Sequence, residues 1–461
     1  MAHKNDENVL AASGHNGGSI ALGVVLASVS TMYTTHRSAA VTRHQCGINE
    51  TVILETASLI KSLGLADVGY DHVNIDECYS EKQRNANGAI VEAKERFPSG
   101  MRWLTDHIHS LGLTLHPCSI YQASQPPQYC DAGWFTCALY PGSFQNEERD
   151  VKLFREEWGS DLLKYDNCAG YTRMANAIAA QAKASGKPPL LLSLCEWGNE
   201  QPWLWARRLG QSRTTGDIGM HVSTPMSQSR CIPINNIIYI NVTRETTFIM
   251  TPETHLFHGR ANYTYGHGVC NASEFEVGND DLTHEEAKFH FTVRSFLKSP
   301  LLIGTHLADA SPETLEILKN TEIIADPVVG TALTPFRWGL SSCSHSCKHI
   351  LFTSCSVLQP NWTPDARFPP QYWSGESENG TVIMMLNTLD EPANMFFSLT
   401  KSPWLRAGRQ YFVRELWSHT DNGTALRNIS VPNVPPHGVP AGLEPRCAVH
   451  EWCMDKNGTM V

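Results

Sequence analysis

The sequence predicts an α/β fold, a (β/α)8 TIM barrel followed by a C-terminal antiparallel β-sandwich, and three observations carry that prediction. From residue 46 to about 217 helical and strand patterns alternate strictly, which builds a parallel sheet, either doubly wound or closed as a barrel. No Gly-rich phosphate loop follows the early strands, so a nucleotide-binding sheet has little support. After about residue 327 the texture changes to short runs such as "GTVIMMLNT" and "RQYFVREL", separated by Pro, Gly and Asn, which reads as antiparallel strands.

Each element has its own signal. In "NETVILETASLIKSLG" (49–64) Asn49 stands as N-cap and Gly64 just past the helix end. "YDHVNID" (70–76) follows as a strand. "SGMRWLTDHIHSLG" (99–112) sets Met101, Leu104, Ile108 and Leu111 on one helical face, and "LTLH" (113–116) is the next strand. "NEERDVKLFREEWG" (146–159) opens with first-turn acids and buries Val151, Phe154 and Trp158. Then come the strand "LLKYD", an Ala-rich helix (172–185), the strand "LLLSLC" (190–195) and a helix over 201–210 with Pro202 near its start. Thr283 and Glu286 have capping-box spacing ahead of another helix, "PLLIG" is a buried-type strand, and 311–320 is a last helix with Pro312 in its first turn. The domains therefore read as an N-terminal segment over 1–45, a catalytic barrel over 46–326, an antiparallel domain over 327–440 and a tail over 441–461.

Composition narrows the function classes. The hydrophobic fraction of 41% supports a sizeable core. A net charge of −10 with no basic run argues against a nucleic-acid or acidic-membrane partner. No apolar run reaches the length of a membrane span. Fourteen cysteines and nine N-x-S/T sequons, at Asn49, Asn241, Asn262, Asn271, Asn361, Asn379, Asn422, Asn428 and Asn457, point to a secreted glycoprotein. "SIALGVVLASVS" (19–30) resembles a signal h-region, although Lys4 lies far upstream and is offset by Asp6 and Glu7; as the only apolar run upstream it can be a cleaved signal or barrel strand one, not both. "CSHSCKHILFTSC" (343–355) has spacings zinc can use but no paired-Cys arrangement, and it reads as a loop or disulfide knot rather than a metal site.

The chemistry concentrates at strand ends. In "DLLKYDNC" (161–168) Lys164 and Asp166 stand at i and i+2, on one side of a strand. Alone, such an aspartate reads as a cap or an ion pair. Asp76-Glu77, Glu196 and Asp217 end or follow strands in the same way. In a (β/α)8 barrel those ends converge on one mouth, so together they read as a binding site. Paired carboxylates with cationic neighbours suit glycoside hydrolysis: one attacks the anomeric carbon, the other protonates the leaving oxygen. Lys164 beside Asp166 favours the ionised form a nucleophile needs. Arg213 stands ready to anchor sugar hydroxyls, and Trp197 and Trp203 offer rings to a sugar face or to the core.

"YDHVNIDECYS", "RFPSGM", "TCALYPGS", "LLKYDNC", "LLSLCEWG", "RTTGDI" and "SPLLIGTHL" resemble, in order and spacing, glycoside hydrolase family 27, the secreted α-galactosidases (melibiases) of fungal type. "PPQYWSGESENGTVIMMLNTLDEPA" extends the resemblance into that family's β-domain. The resemblance implies a retaining exo-glycosidase that removes terminal non-reducing α-D-galactosyl residues from oligosaccharides, galactolipids or galactomannans and needs no cofactor or metal. It implies Asp166 as nucleophile and Asp217 as acid/base. Asp76 and Glu77 match the pair that grips the galactose O4 and O6 hydroxyls. Tyr129, Cys137, Lys164, Glu196 and Arg213 match substrate-binding positions, and Cys46–Cys78 and Cys137–Cys168 match family disulfides. Alternatives are an α-N-acetylgalactosaminidase, or a galactose-binding homologue with impaired catalysis. The sequence departs from the family where "AVTRHQC" (40–46) replaces a Gly-Trp-Asn motif and where "CNASEFEVGN" (270–279) lacks the family's aspartates. The stretches 116–128, 219–264 and 340–358 match nothing in the family.

Overall fold

The computed structural model describes residues 22–26, 47–75, 78–117, 133–136, 139–166, 170–195, 211–213, 238–241, 247–250, 277–278, 282–296, 301–325, 334–338, 370–377, 380–387, 389, 391–402, 404–406 and 408–447. The N-terminal unit is a TIM barrel and the C-terminal unit an antiparallel β-sandwich.

The barrel strands are β1 (Leu22–Leu26), β2 (Tyr70–Ile75), β3 (Thr114–Pro117), β4 (Leu162–Asp166), β5 (Leu191–Cys195) and β6 (Gln211–Arg213). After a hairpin of β7 (Ile238–Asn241) and β8 (Thr247–Met250), β9 (Leu301–Ile303) returns to the wall. Two parallel sheets are described, in the orders β3-β2-β1-β9 and β4-β5-β6. The β7–β8 hairpin lies inside 219–264, the stretch that matches nothing in the family.

The position of β1 corrects the reading of the N-terminal segment. Residues 22–26 pair in parallel with both β2 and β9, Leu26 opposite Ile75 and Val24 opposite Ile303. The barrel therefore begins upstream of residue 46, and the run that resembles a signal h-region is a central strand. Central strands of parallel sheets commonly read as unbroken apolar runs, so composition alone does not separate one from an h-region.

Helices cover the wall in the expected order: α1 (Glu50–Ser62), α2 (Met101–Ser110), α3 (Glu147–Lys152), α4 (Tyr171–Ser185), α5 (His284–Phe296), α6 (Pro312–Leu318) and α7 (Thr321–Ala325). Their limits follow local chemistry. The Asn49 side chain accepts from Val52 N at 3.0 Å to cap α1, and Gly64 takes the left-handed conformation (φ 72°) that ends it. Thr283 N donates to Glu286 Oε2 at 2.8 Å in the capping box of α5. Ser311 caps α6 with Pro312 at its start. α3 runs on as a wider π turn over Leu153–Glu157, and Val151, Phe154 and Trp158 are buried as their spacing predicts. The expected helix over 201–210 lies outside the described residues.

The sandwich joins a six-stranded sheet, ordered β10-β11-β12-β17-β14-β15, to the pair β13-β16. These strands are β10 (Thr334–Trp338), β11 (Pro370–Ser377), β12 (Gly380–Met385), β13 (Ala393–Ser398), β14 (Tyr411–Glu415), β15 (Thr420–Ala425), β16 (Asn428–Val434) and β17 (Ala441–Cys447). The two-residue period of a strand divides the larger sheet between two cores. Trp373, Val382 and Met384 pack into the barrel core, whereas Tyr372, Ile383 and Met385 pack with Phe397, Leu399 and Ile429 inside the sandwich. Among the described residues no helix is long and apolar enough to cross a membrane.

Candidate active site

Three parallel strands set one row of chemistry. β4, β5 and β6 are neighbours, and their register places Asp166 beside Cys195 and Cys195 beside Arg213 at the C-terminal ends. Glu196 is the next residue in the chain after β5, and Asp217 follows β6 by four residues. In the other sheet Ile75 ends β2 beside Leu26 and Pro117, and the chain continues as Asp76-Glu77. Among the described residues, the backbone of Asp166 and that of Arg213 therefore share the C-terminal edge of the β4-β5-β6 sheet.

Alternation along β4 assigns its two sides. Leu163 and Tyr165 are buried in the helix-facing core, with the Tyr165 ring edge-on to Tyr171 of α4 at 6.0 Å. Lys164 takes the other, interior side and is half-buried. For Asp166 and Arg213 the structure describes the backbone position. Asp76, Glu77, Tyr129, Cys137, Glu196 and Asp217 lie outside the described residues, as do Cys46 and Cys168. Cys78 is buried and disulfide-bonded, with a left-handed backbone (φ 70°).

Two features of the surroundings escaped sequence reading. Asn74 is buried, two residues before Asp76 in the chain, and its Oδ1 has no hydrogen-bond partner among the described residues. The i, i+2 offset from a site acid was the available signal. The second is a buried ion pair under the mouth loops. Arg84 donates to both carboxylate oxygens of Asp150, at 2.7 and 2.5 Å, and also to Gly88 O and Gly142 O at 2.9 and 2.8 Å. It locks the loop after β2 and the loop after β3 onto α3. Burial pushes the Asp150 carboxyl above its ordinary range, and the Arg84 guanidinium pulls against that shift. Among the described residues no group of His, Cys, Asp and Glu is placed to hold a metal ion; the segment 343–355 lies outside them.

Comparison with known proteins agrees with this architecture. Residues 35–208 match the family model described as alpha galactosidase A, and residues 368–441 match the alpha galactosidase C-terminal beta sandwich domain. The chain is 35% identical to alpha-galactosidase 3 of Arabidopsis thaliana over 393 residues, covering 82% of this chain and 73% of the relative. The crystal structure of alpha-galactosidase I from Mortierella vinacea superposes with a TM-score of 0.69 at 25% identity, covering 94% of this chain and 98% of that one. The Saccharomyces cerevisiae alpha-galactosidase, solved with raffinose, superposes at 0.68 with 22% identity, covering 88% and 95%. A putative alpha-N-acetylgalactosaminidase from Bacillus halodurans is more distant, at 0.56 and 15%, covering 93% and 97%.

Proposed function

The chain belongs to the α-galactosidases of glycoside hydrolase family 27, and from that premise we propose that Asp166 is the nucleophile and Asp217 the acid/base of a retaining mechanism. The enzyme hydrolyses terminal non-reducing α-D-galactosyl residues; the alternative as an α-N-acetylgalactosaminidase or an impaired binding protein is not favoured by these relatives. The observation that best supports the assignment of roles is the register of β4, β5 and β6, which lines up Asp166, Cys195 and Arg213 at one barrel end.

In this reading Asp76 and Glu77 hold the galactose O4 and O6 hydroxyls, Glu196 accepts from the 2-hydroxyl, and Tyr129, Cys137 and Arg213 complete the pocket. Asp166 attacks the anomeric carbon while Asp217 gives its proton to the departing oxygen, leaving a covalent galactosyl-enzyme. Asp217 then takes a proton from water, and that water displaces Asp166 with net retention. Lys164, on the same strand, keeps Asp166 ionised. The substrate is a carbohydrate, and oligosaccharides, galactolipids and galactomannans all present the required terminus. We also infer secretion, supported by the nine sequons and by a disulfide at Cys78, both suited to an oxidising compartment.

Asp166→Asn tests the roles. It is expected to lower kcat by about 10⁴-fold or more while leaving the folded state intact, and the parent should release the α-anomer first. In a crystal structure the Asp166 and Asp217 carboxyls should stand about 5–5.5 Å apart. A β-anomer as first product, or a separation near 9 Å, rejects the retaining assignment.

A further inference from the structure

We propose that the hairpin between β3 and α3 carries an aromatic platform, centred on Trp134, for the sugar on the leaving-group side of the scissile bond. Its connection places it on the C-terminal side of the barrel, where the loops after the strands form the mouth. Contacts tie it to the helix that follows the nucleophile's strand. Trp134 meets Phe144 edge-on at 5.0 Å, and Phe144 lies 4.6 Å from the Arg173 guanidinium. Arg173 sits in the first turn of α4, the helix that follows Asp166, and pairs with Glu147 at the start of α3.

The two described limbs of the hairpin are cross-linked, yet they present apolar surface to water. Phe135 bridges Pro141 across it, Gly142 N donates to Trp134 O at 2.8 Å, and Arg84 holds Gly142 O from below. A Cβ at Gly142 would come within 2.4 Å of Gly133 O, so the two limbs are pressed together. Even so, Trp134 is 60% exposed, Phe135 51% and Leu139 68%. Trp134, held outward on a braced limb, loses little entropy when a ring covers it. It offers on the order of 150 Å², given about 150–250 Å² for a whole aromatic side chain, well short of the roughly 800 Å² per partner of a stable protein interface. A flat pyranose ring fits that scale. This assignment rests on the galactosidase reading: the charged groups of the mouth hold the galactose, so the next sugar must pass over the rim.

The test compares melibiose, in which glucose is the leaving group, with α-galactosyl fluoride, which has no ring beyond galactose. Trp134→Ala should lower the ratio of kcat/KM for melibiose to that for the fluoride about tenfold, chiefly through KM, and Trp134→Tyr should keep it within about threefold. A ratio within twofold of the parent in Trp134→Ala, or equal losses on both substrates, overturns the platform. Calorimetry on the nucleophile variant supplies an arm without turnover: Asp166→Asn should bind melibiose more tightly than galactose, and adding Trp134→Ala should abolish the difference. Tighter melibiose binding without fluoride hydrolysis by the parent rejects the catalytic reading and keeps the platform. Equal affinity of Asp166→Asn for the two sugars rejects the platform, and binding of neither rejects both.

Discussion

Burial raises a carboxylate's hold on its proton, and at Asp150 that pressure is opposed by Arg84, whose guanidinium forks onto both oxygens at 2.7 and 2.5 Å. Asp150 has no exposed side-chain surface and Arg84 only 16%, so removing one partner strands a charge away from water. Arg84→Ala should therefore destabilise the barrel by about 3–5 kcal/mol, measured by denaturant unfolding at pH 7. Lysine should recover only part of this, because a single ammonium cannot reproduce the fork. The pH dependence has a definite sign. A carboxyl whose folded pKa lies above its unfolded value contributes stability at low pH and loses it as pH rises through the folded value, so the defect of Arg84→Ala should grow from pH 4 to pH 7. Asp150 shows what single residues reveal and hide. Its place in the first turn of α3 was readable, and the acid there was credited to the helix dipole. Its partner, distant in sequence on a loop, was not readable, since nothing local marks Arg84 as buried. The same holds for Asn74, whereas the inward side of Lys164, between the buried Leu163 and Tyr165, follows from strand alternation, a local rule.

Among the elements, those whose boundaries are set by neighbouring residues came out as expected: α1 with Asn49 and Gly64, α5 with its Thr283–Glu286 box, α6 with Ser311 and Pro312. β1 did not, because an apolar run of its length serves a leader or a central strand equally well, and only pairing with β2 and β9 decides between them. The short α7 depends on a residue that works for two elements at once. Asn320 Oδ1 accepts from Glu322 N and Ile323 N at 3.1 and 3.0 Å, capping α7. Its Nδ2 donates to Leu416 O, just past β14, at 3.1 Å. Asn320 is 5% exposed, so water cannot replace any of these bonds. Asn320→Ala should cost about 2–3 kcal/mol, the sum of a lost cap and an unpaired buried carbonyl. Asn320→Asp keeps the cap and loses the donor to Leu416, and should fall between the two. Thermal unfolding of the three proteins at pH 7 checks the order, and equal midpoints would show that neither bond matters.

At the scale of the whole molecule, the barrel and the sandwich share one apolar core through Trp373, Met384, Leu416 and Val439, and that contribution does not change with pH. What does change is the polar seam beside it. Glu322 of α7 receives Arg414 of β14 at 2.8 and 2.5 Å and His419 at 3.0 Å, while Arg414 also reaches Asp421 at 3.0 Å. Further along, Trp417 Nε1 donates to Thr292 of α5 at 3.2 Å, and His437 pairs with Glu286 at 2.9 Å. Arg414 holds the Glu322 carboxyl below its ordinary range against the opposing push from burial, with His419 adding a smaller pull. A depressed folded pKa contributes stability that is present above the unfolded value and is lost as pH falls through the folded one. The seam should therefore weaken as the medium is acidified from about pH 5 toward pH 3, with the unfolded carboxyl at about 4.3. In calorimetric scans the parent should unfold as one unit at pH 6 and lose that cooperativity near pH 3. Glu322→Gln, with no charge to titrate, should show a smaller fall in midpoint over the same interval. Parallel curves for the two proteins would mean that the apolar core alone holds the domains together, and that the charges at the seam set their register without stabilising it.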